Sequence, residues 1–371
     1  MVGIVSLGWH VPAERHAVDR LAADHGVSPK ALRDFGLISV AVPAPDEHPS
    51  TLAARAARHA IEAADMPLEA IDLLIFAGLT RDRPPPWVAA FGVLHELGCT
   101  RATGFDLAAR CPGIHDALWV AASLVRAGGF KNVMVACGDR FDYLLPRSRK
   151  KSQVAEAVYS AGGAAALVSD EADNEIIAYS HFTNEDLSIH CEMCPSAGGS
   201  RVPVDVAALA AAKQEWQNNM RVDQAAALRD FLVRAERHNI EAVCRRAGFD
   251  EIDFVAVAPL SVRDQIVSLG RLGIGPERIL PTLPLYGHMG PADSLLSIGL
   301  AITSGRAVGP RLVMSTRSTT SANALAIRGR APDLGIRVSG ANAGGVAPRC
   351  EKLSLTGASQ PLSAGLHEAR T

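Results

Sequence analysis

Short apolar runs alternate with amphipathic helical stretches along almost the whole chain, and this alternation limits the fold to α/β layers. "VGIVSLG", "IDLLIFAGLT", "ATGFDLAA", "NVMVACGD" and "GAAALVSD" read as strands of a first half. Between them lie helical patterns such as "STLAARAARHAIEAADM", for which Ser50 or Thr51 is the expected N-cap. "PGIHDALWVAASLVRAGG" is a helix that opens on proline and closes on glycine. The rhythm then repeats: "EIIAYSHF", "IDFVAVAP", "RILPTL", "RLVMSTR" and "NALAIRG" as strands, with a long helix from about Arg221 to Arg246. "IDLLIFAGLT" at Ile71 and "IDFVAVAPLS" at Ile252 begin alike, which points to an internal duplication. The expected halves are residues 1–170 and 171–330. Residues 331–371, rich in Gly, Ala, Ser and Pro and without an apolar periodicity, read as a mostly disordered tail.

At 371 residues the chain can bury a large core, and a net charge of −2 gives nucleic-acid binding no electrostatic support. No apolar run reaches the roughly 18–20 residues of a membrane span. The start, "MVGIVSLGWHVP", reads as a buried strand and not as a signal peptide. Seven scattered cysteines fit a reducing cytoplasm better than a disulfide framework. Cys191 and Cys194 form C-x-x-C, but no second pair at zinc spacing follows, so no metal site is expected. No phosphate-binding glycine motif stands at a strand-to-helix turn.

Two stretches carry chemistry. In "GFDLAARCPGIHDAL", Cys111 falls between a strand and a helix, where free amides and the helix dipole favour a thiolate. The alternative is a buried cysteine packing as a small hydrophobe. In "LPLYGHMGPADSLL", His288 sits between glycines with Asp293 at the mouth of the following helix. His288 could instead cap local backbone, and Asp293 could simply favour the helix dipole. His115 and Asp116 lie just past Cys111, but their side chains are expected to point elsewhere. Arg147, Arg149, Lys150 and Lys151 form a basic run that fits an acidic carrier protein or the phosphates of coenzyme A, or equally a solvated loop.

The order and spacing of "GIVSLGWHVP", "STLAARAARHAIEAA", "IDLLIFAGLTRDRPPP", "GFDLAARCPGIHDAL" and "KNVMVACGDR" resemble ketoacyl-ACP synthase III (KAS III) proteins of the thiolase superfamily, over about residues 1–330. The resemblance implies a five-layered α-β-α-β-α thiolase fold of two similar halves, a homodimer, and Cys111 as the acyl-accepting nucleophile. It also implies acyl-CoA or phosphopantetheinyl-ACP as donor, with no permanently bound cofactor.

The chain departs from that family where condensation chemistry resides. The family's "PHQAN" segment reads "APLSVRDQI" here, with Leu260 at the histidine position and Arg263 at the asparagine. Leucine can neither donate a hydrogen bond nor move a proton. The later "GN" turn reads "GH", so His288 replaces its asparagine, and Arg317, Ser318 and Thr319 stand where glycines are usual. The pattern resembles an acyltransferase offshoot of KAS III from natural-product pathways that uses a Cys (or Ser), His and Asp set. The expectation is therefore an acyltransferase with Cys111, His288 and Asp293, working in polyketide or other secondary metabolism. Its rivals are a priming condensing enzyme using malonyl-ACP, a silent partner subunit of a ketosynthase, and a thioesterase. Trp87, Phe91 and the 182–220 segment are expected to shape the substrate pocket.

Overall fold

The computed structural model describes residues 1–83, 86–143, 157–185, 222–306, 308–330 and 332–341. Its strands, in chain order, are β1 (Gly3–His10), β2 (Glu14–Ala17), β3 (Ser39–Val42), β4 (Leu73–Phe76), β5 (Thr103–Asp106), β6 (Asn132–Arg140) and β7 (Ala161–Ser169) in the first half. The second half contributes β8 (Asn174–Thr183), β9 (Phe254–Val257), β10 (Arg311–Arg317) and β11 (Ser321–Gly329), and β12 (Arg337–Ala341) follows.

The first sheet runs β12-β1-β7-β6-β4-β5 and the second β8-β11-β10-β9, while β2 and β3 pair as a separate ribbon. Setting β12 aside, each half places its strands in the order first, fifth, fourth, second, third. In the second half the third position is reduced to one parallel bridge between Val255 and Ile279. "RILPTL" is thus a single bridge followed by a short helix, Leu283–Tyr286, because the proline pair removes amide donors a strand would need. The common strand order is the structural form of the duplication.

The inner strands of the main sheets have two faces to bury, and the side-chain period of two decides which layer each residue enters. In β6, Val133, Val135 and Cys137 face the centre of the molecule, whereas Met134 and Ala136 face outward against the helices Pro49–Ala64 and Ala89–Leu97. In β10, Leu312 and Met314 face the centre and Val313 the other side, under the helices Val222–Ala247 and Val262–Gly270. Two helices, Gly113–Arg126 and Ala292–Thr303, fill the space between the sheets; the second is buried and apolar nearly all round, whereas the first keeps an exposed edge at Ser123 and Arg126. The result is the five-layered thiolase architecture. Each central helix follows the third strand position of its half, so the two occupy equivalent places in the duplicated fold.

Two local expectations differ. The helix Pro49–Ala64 begins after His48, with Pro49 at its first position. Ser50 is inside the first turn, where its amide and hydroxyl bind the Asp82 carboxylate instead of capping. The segment after residue 330 is not all tail: β12 pairs in parallel with β1 from Ser6–Arg337 to His10–Ala341.

Candidate active site

The central helix Gly113–Arg126 is preceded by a tight turn in which the Gly113 amide donates to the Arg110 carbonyl at 2.9 Å. Cys111 stands in this turn, half-buried, at the mouth of the helix. Arg110 has φ = +58°, a left-handed conformation that a non-glycine residue adopts only when its surroundings enforce it.

The turn before the other central helix is held from the opposite half. The His288 amide donates to the Val158 carbonyl at 2.7 Å, and the Ser160 amide donates to the His288 carbonyl at 3.0 Å. That clamp makes the flanking glycines necessary. Gly287 has φ = +76° and its absent Cβ would lie 2.7 Å from Val158 O; Gly290 has φ = +67° and packs on Phe141 and Asp139. The imidazole packs against the touching rings of Phe141 and Tyr159, with centroids at 6.2 and 5.2 Å, and is 1 % exposed.

These two turns bring the predicted residues together. His288 Nε2 lies 3.4 Å from Cys111 Sγ, and His288 Nδ1 donates to Asp293 Oδ2 at 2.6 Å. Asp293 is fully buried, and its other oxygen accepts from Thr282 Oγ1 at 3.1 Å and from the Met289 amide at 3.2 Å. The carboxylate therefore fixes the tautomer: Nδ1 carries a proton and Nε2 faces sulfur. Burial pushes the His288 pKa down, but the charges of Asp293 and Cys111 outweigh it and raise the pKa to about 10. An imidazolium facing the sulfur favours the thiolate.

A second polar network links the same two helices. His115 Nδ1 donates to Asn323 Oδ1 at 2.9 Å, and His115 Nε2 accepts from Ser294 Oγ at 3.1 Å. Asn323 Nδ2 in turn donates to Pro112 O at 3.0 Å and to Asp116 Oδ1 at 2.7 Å, and the Tyr179 hydroxyl also donates to Asp116. Burial lowers the His115 pKa to about 4, so the ring is neutral. His115 and Asp116 bond to groups other than the Cys111 sulfur and tie its turn to β11 and to the residue after Asp293. The readable signal was a set of polar residues inside otherwise apolar elements, each of which must find a partner.

The remaining departures also find places. Arg317 Nη1 donates to buried Glu236 Oε2 at 3.0 Å, and Glu236 also accepts from Gln265 at 2.6 Å and from Ser268. Arg317 therefore anchors the helix Val262–Gly270. Leu260, just before that helix, is 40 % exposed. Trp87 packs on Gly92, and Phe91 is exposed. Arg147, Arg149, Lys150 and Lys151, the Cys191–Cys194 pair and most of the 182–220 segment lie outside the described residues. Among the described residues no group of His, Cys, Asp or Glu is placed to hold a metal, and no helix is long and apolar enough to cross a membrane.

The two central-helix mouths, with Cys111 in one and His288 in the other, meet inside the duplicated fold, and the relatives of the chain are enzymes of the acyl-transferring or condensing kind. Residues 105–185 match the family model of 3-oxoacyl-[acyl-carrier-protein (ACP)] synthase III. The chain is 30 % identical over 267 residues to the beta-ketoacyl-[acyl-carrier-protein] synthase III of Roseiflexus sp. (strain RS-1), covering 71 % of this chain and 78 % of the relative. The enzyme of the same name from Symbiobacterium thermophilum is 28 % identical over 312 residues, 82 % of this chain and 90 % of that one. The crystal structure of the synthase III from Thermus thermophilus superposes with a TM-score of 0.75 at 22 % identity, covering 89 % of this chain and 99 % of that chain. The chain belongs to the beta-ketoacyl-[acyl-carrier-protein] synthase III family.

Proposed function

We propose that the protein is an acyltransferase that carries its acyl group on Cys111 and passes it to an acceptor with His288 as base. The reading rests on one observation: the only imidazole facing the Cys111 sulfur among the described residues is His288, 3.4 Å away and oriented by Asp293. The Cys111 thiolate attacks the carbonyl carbon of an acyl-ACP or acyl-CoA thioester. The donor carbon–sulfur bond breaks, and the leaving thiolate takes the proton from His288 Nε2. An acceptor hydroxyl, amine or carrier thiol then gives its proton to neutral His288 and attacks the acyl carbonyl. Breaking the bond to Cys111 restores the thiolate–imidazolium pair. Asp293 stabilises the imidazolium at both ends of the cycle. The Cys111 amide makes no hydrogen bond within the described residues and supplies a donor for the oxyanion.

Leu260 at the family's histidine position argues for transfer over condensation. The names of the relatives favour a condensing reading instead. Release of carbon dioxide from malonyl-ACP, dependent on Cys111, would establish it in place of ours. A place in polyketide or other secondary metabolism is part of the proposal, as is a homodimer. The dimer draws on β5, an edge strand with Phe105 39 % exposed beside the helix that carries Phe91, 53 % exposed. Intact mass spectrometry after incubation with acyl thioesters tests the central claim. Wild type should gain one acyl group and Cys111→Ala none; an adduct on the variant would remove Cys111 as nucleophile.

A further inference from the structure

Arg110 combines two features that the acyl-transfer cycle leaves unused. It precedes the proposed nucleophile, and it is held at φ = +58°. The other described non-glycine residue with positive φ, Asp65, simply ends a helix, where the left-handed conformation is common. Arg110 caps no helix. Its side chain reaches into the second half, where Nη1 donates to Thr319 Oγ1 at 3.1 Å.

That turn is rigidly built. The Asn184 amide donates to Thr320 O at 2.8 Å and its side chain to Thr319 O at 2.9 Å. Ser318 Oγ accepts from the amides of Thr320 at 3.3 Å and Ser321 at 3.2 Å. Thr319 thus presents a fixed hydroxyl whose own proton has no acceptor among the described residues. Other part-buried arginines meet carboxylates: Arg81 pairs with Asp106, Arg140 with Asp142 and Arg317 with Glu236. Arg110 meets only the neutral Thr319 hydroxyl among the described residues, so its charge is left for something that enters the site.

We propose that Arg110 and Thr319 form a carboxylate-binding subsite beside Cys111, so that one reacting partner carries a carboxylate a few atoms from the reacting carbon. A guanidinium presents several N–H donors in a planar fork that suits a carboxylate, and partial burial strengthens charged hydrogen bonds relative to water. The thioester's phosphate is the wrong anion for this place, because the long pantetheine arm holds it far from the sulfur that Cys111 attacks. The carboxylate belongs either to the acyl group, which is then a dicarboxylic half-thioester, or to the acceptor. Its role in turnover rests on the acyl-enzyme reading; the subsite itself does not.

Alkylation separates the two questions. Iodoacetate and iodoacetamide have nearly the same shape and differ in charge, and either alkylates the Cys111 thiolate with loss of iodide. The ratio of their rates at Cys111, followed by intact mass, reads carboxylate recognition whether or not any acyl group is transferred. Arg110→Met keeps length but loses charge and should lower the iodoacetate-to-iodoacetamide ratio about tenfold, the worth of one charge-assisted hydrogen bond. Thr319→Val should lower it by a smaller factor, and Arg110→Lys should retain part of it. An unchanged ratio in a folded Arg110→Met protein would overturn the subsite, leaving Arg110 a strut between the halves. If the ratio falls, loading with succinyl-CoA against butyryl-CoA locates the carboxylate. A preference for succinyl that Arg110→Met removes puts it on the donor, and equal loading puts it on the acceptor.

Discussion

Cys111 and His288 are 177 residues apart in the chain, yet their side chains meet at 3.4 Å because each stands before the equivalent central helix of a duplicated half. Neither half holds a complete site. The sulfur comes from one turn, and the imidazole and its carboxylate come from the other.

Replacing Asp293 by Asn should leave Cys111 in place but remove the charge that holds His288 protonated. Acyl transfer should fall by about 10²–10⁴, read as the decay of pre-formed acyl-enzyme with added acceptor. His288→Ala should fall at least as far. If Asp293→Asn transfers at the wild-type rate, the carboxylate is not part of the base.

The raised His288 pKa sets a pH window. The folded value of about 10 exceeds the ordinary 6.5, so the imidazolium's contribution to stability is fully present below about pH 6.5 and is lost as pH rises through about 10. In Asp293→Asn the imidazolium should deprotonate at a lower pH, visible in the histidine NMR resonance.

Two buried groups titrate with opposite signs in the acid range. Burial lowers His115 to about 4, so the unfolded state binds protons first and stability falls as pH drops from about 6.5 to about 4. Burial raises Asp139 to about 7, against the Leu79 and Thr80 amides and the Thr80 hydroxyl that bind its Oδ1. Its contribution runs the other way: it is present below the ordinary carboxylate range and lost as pH rises through about 7. His115→Gln should flatten the acid loss, a change of roughly 3 kcal/mol across the window. Asp139→Asn should steepen the net acid loss. Denaturant unfolding of each variant across this pH range measures both.

The Glu236 cluster predicts a stability effect remote from the sulfur. Glu236→Ala leaves Arg317, Gln265 and Ser268 without their shared acceptor and should cost about 3–5 kcal/mol in unfolding free energy. A loss below about 1 kcal/mol would mean that these groups rehydrate.

The proposed dimer gives a test at β5. Phe105→Lys places a charge on the exposed edge strand and should convert a dimer to monomer in light scattering. A wild-type monomer at micromolar concentration would remove the homodimer from the proposal.

Much of this arrangement was legible in the residues, for reasons that differ by element. Strands such as β6 and β10 announced themselves because burial on both faces demands apolar runs. Cys111, His288 and Asp293 stood out at turns before helices, and the resemblance to KAS III separated them from a packed cysteine, a capping histidine and a helix-dipole acid. β12 was missed although Leu334, Ile336 and Val338 alternate into it and pack on the core, because the Gly-, Ala- and Ser-rich sequence around them hid so short a signal. Ser50 misled because Asp82, 32 residues away, competes for its hydroxyl. The left-handed Arg110 left no trace, since nothing in "AARCPG" marks a non-glycine residue for positive φ.

The β1–β12 pairing has a consequence for the order in which the protein is made. β1 leaves the ribosome before the other described strands, and β12 after them. Until residues 337–341 emerge, one edge of β1 offers a row of open amides and carbonyls to any passing strand. The covering strand is also one of the most distant contacts in the molecule, and contacts of that span form slowly. The first sheet therefore stays uncapped from the emergence of β1 until β12 arrives, and slower translation lengthens the interval in which that edge is open.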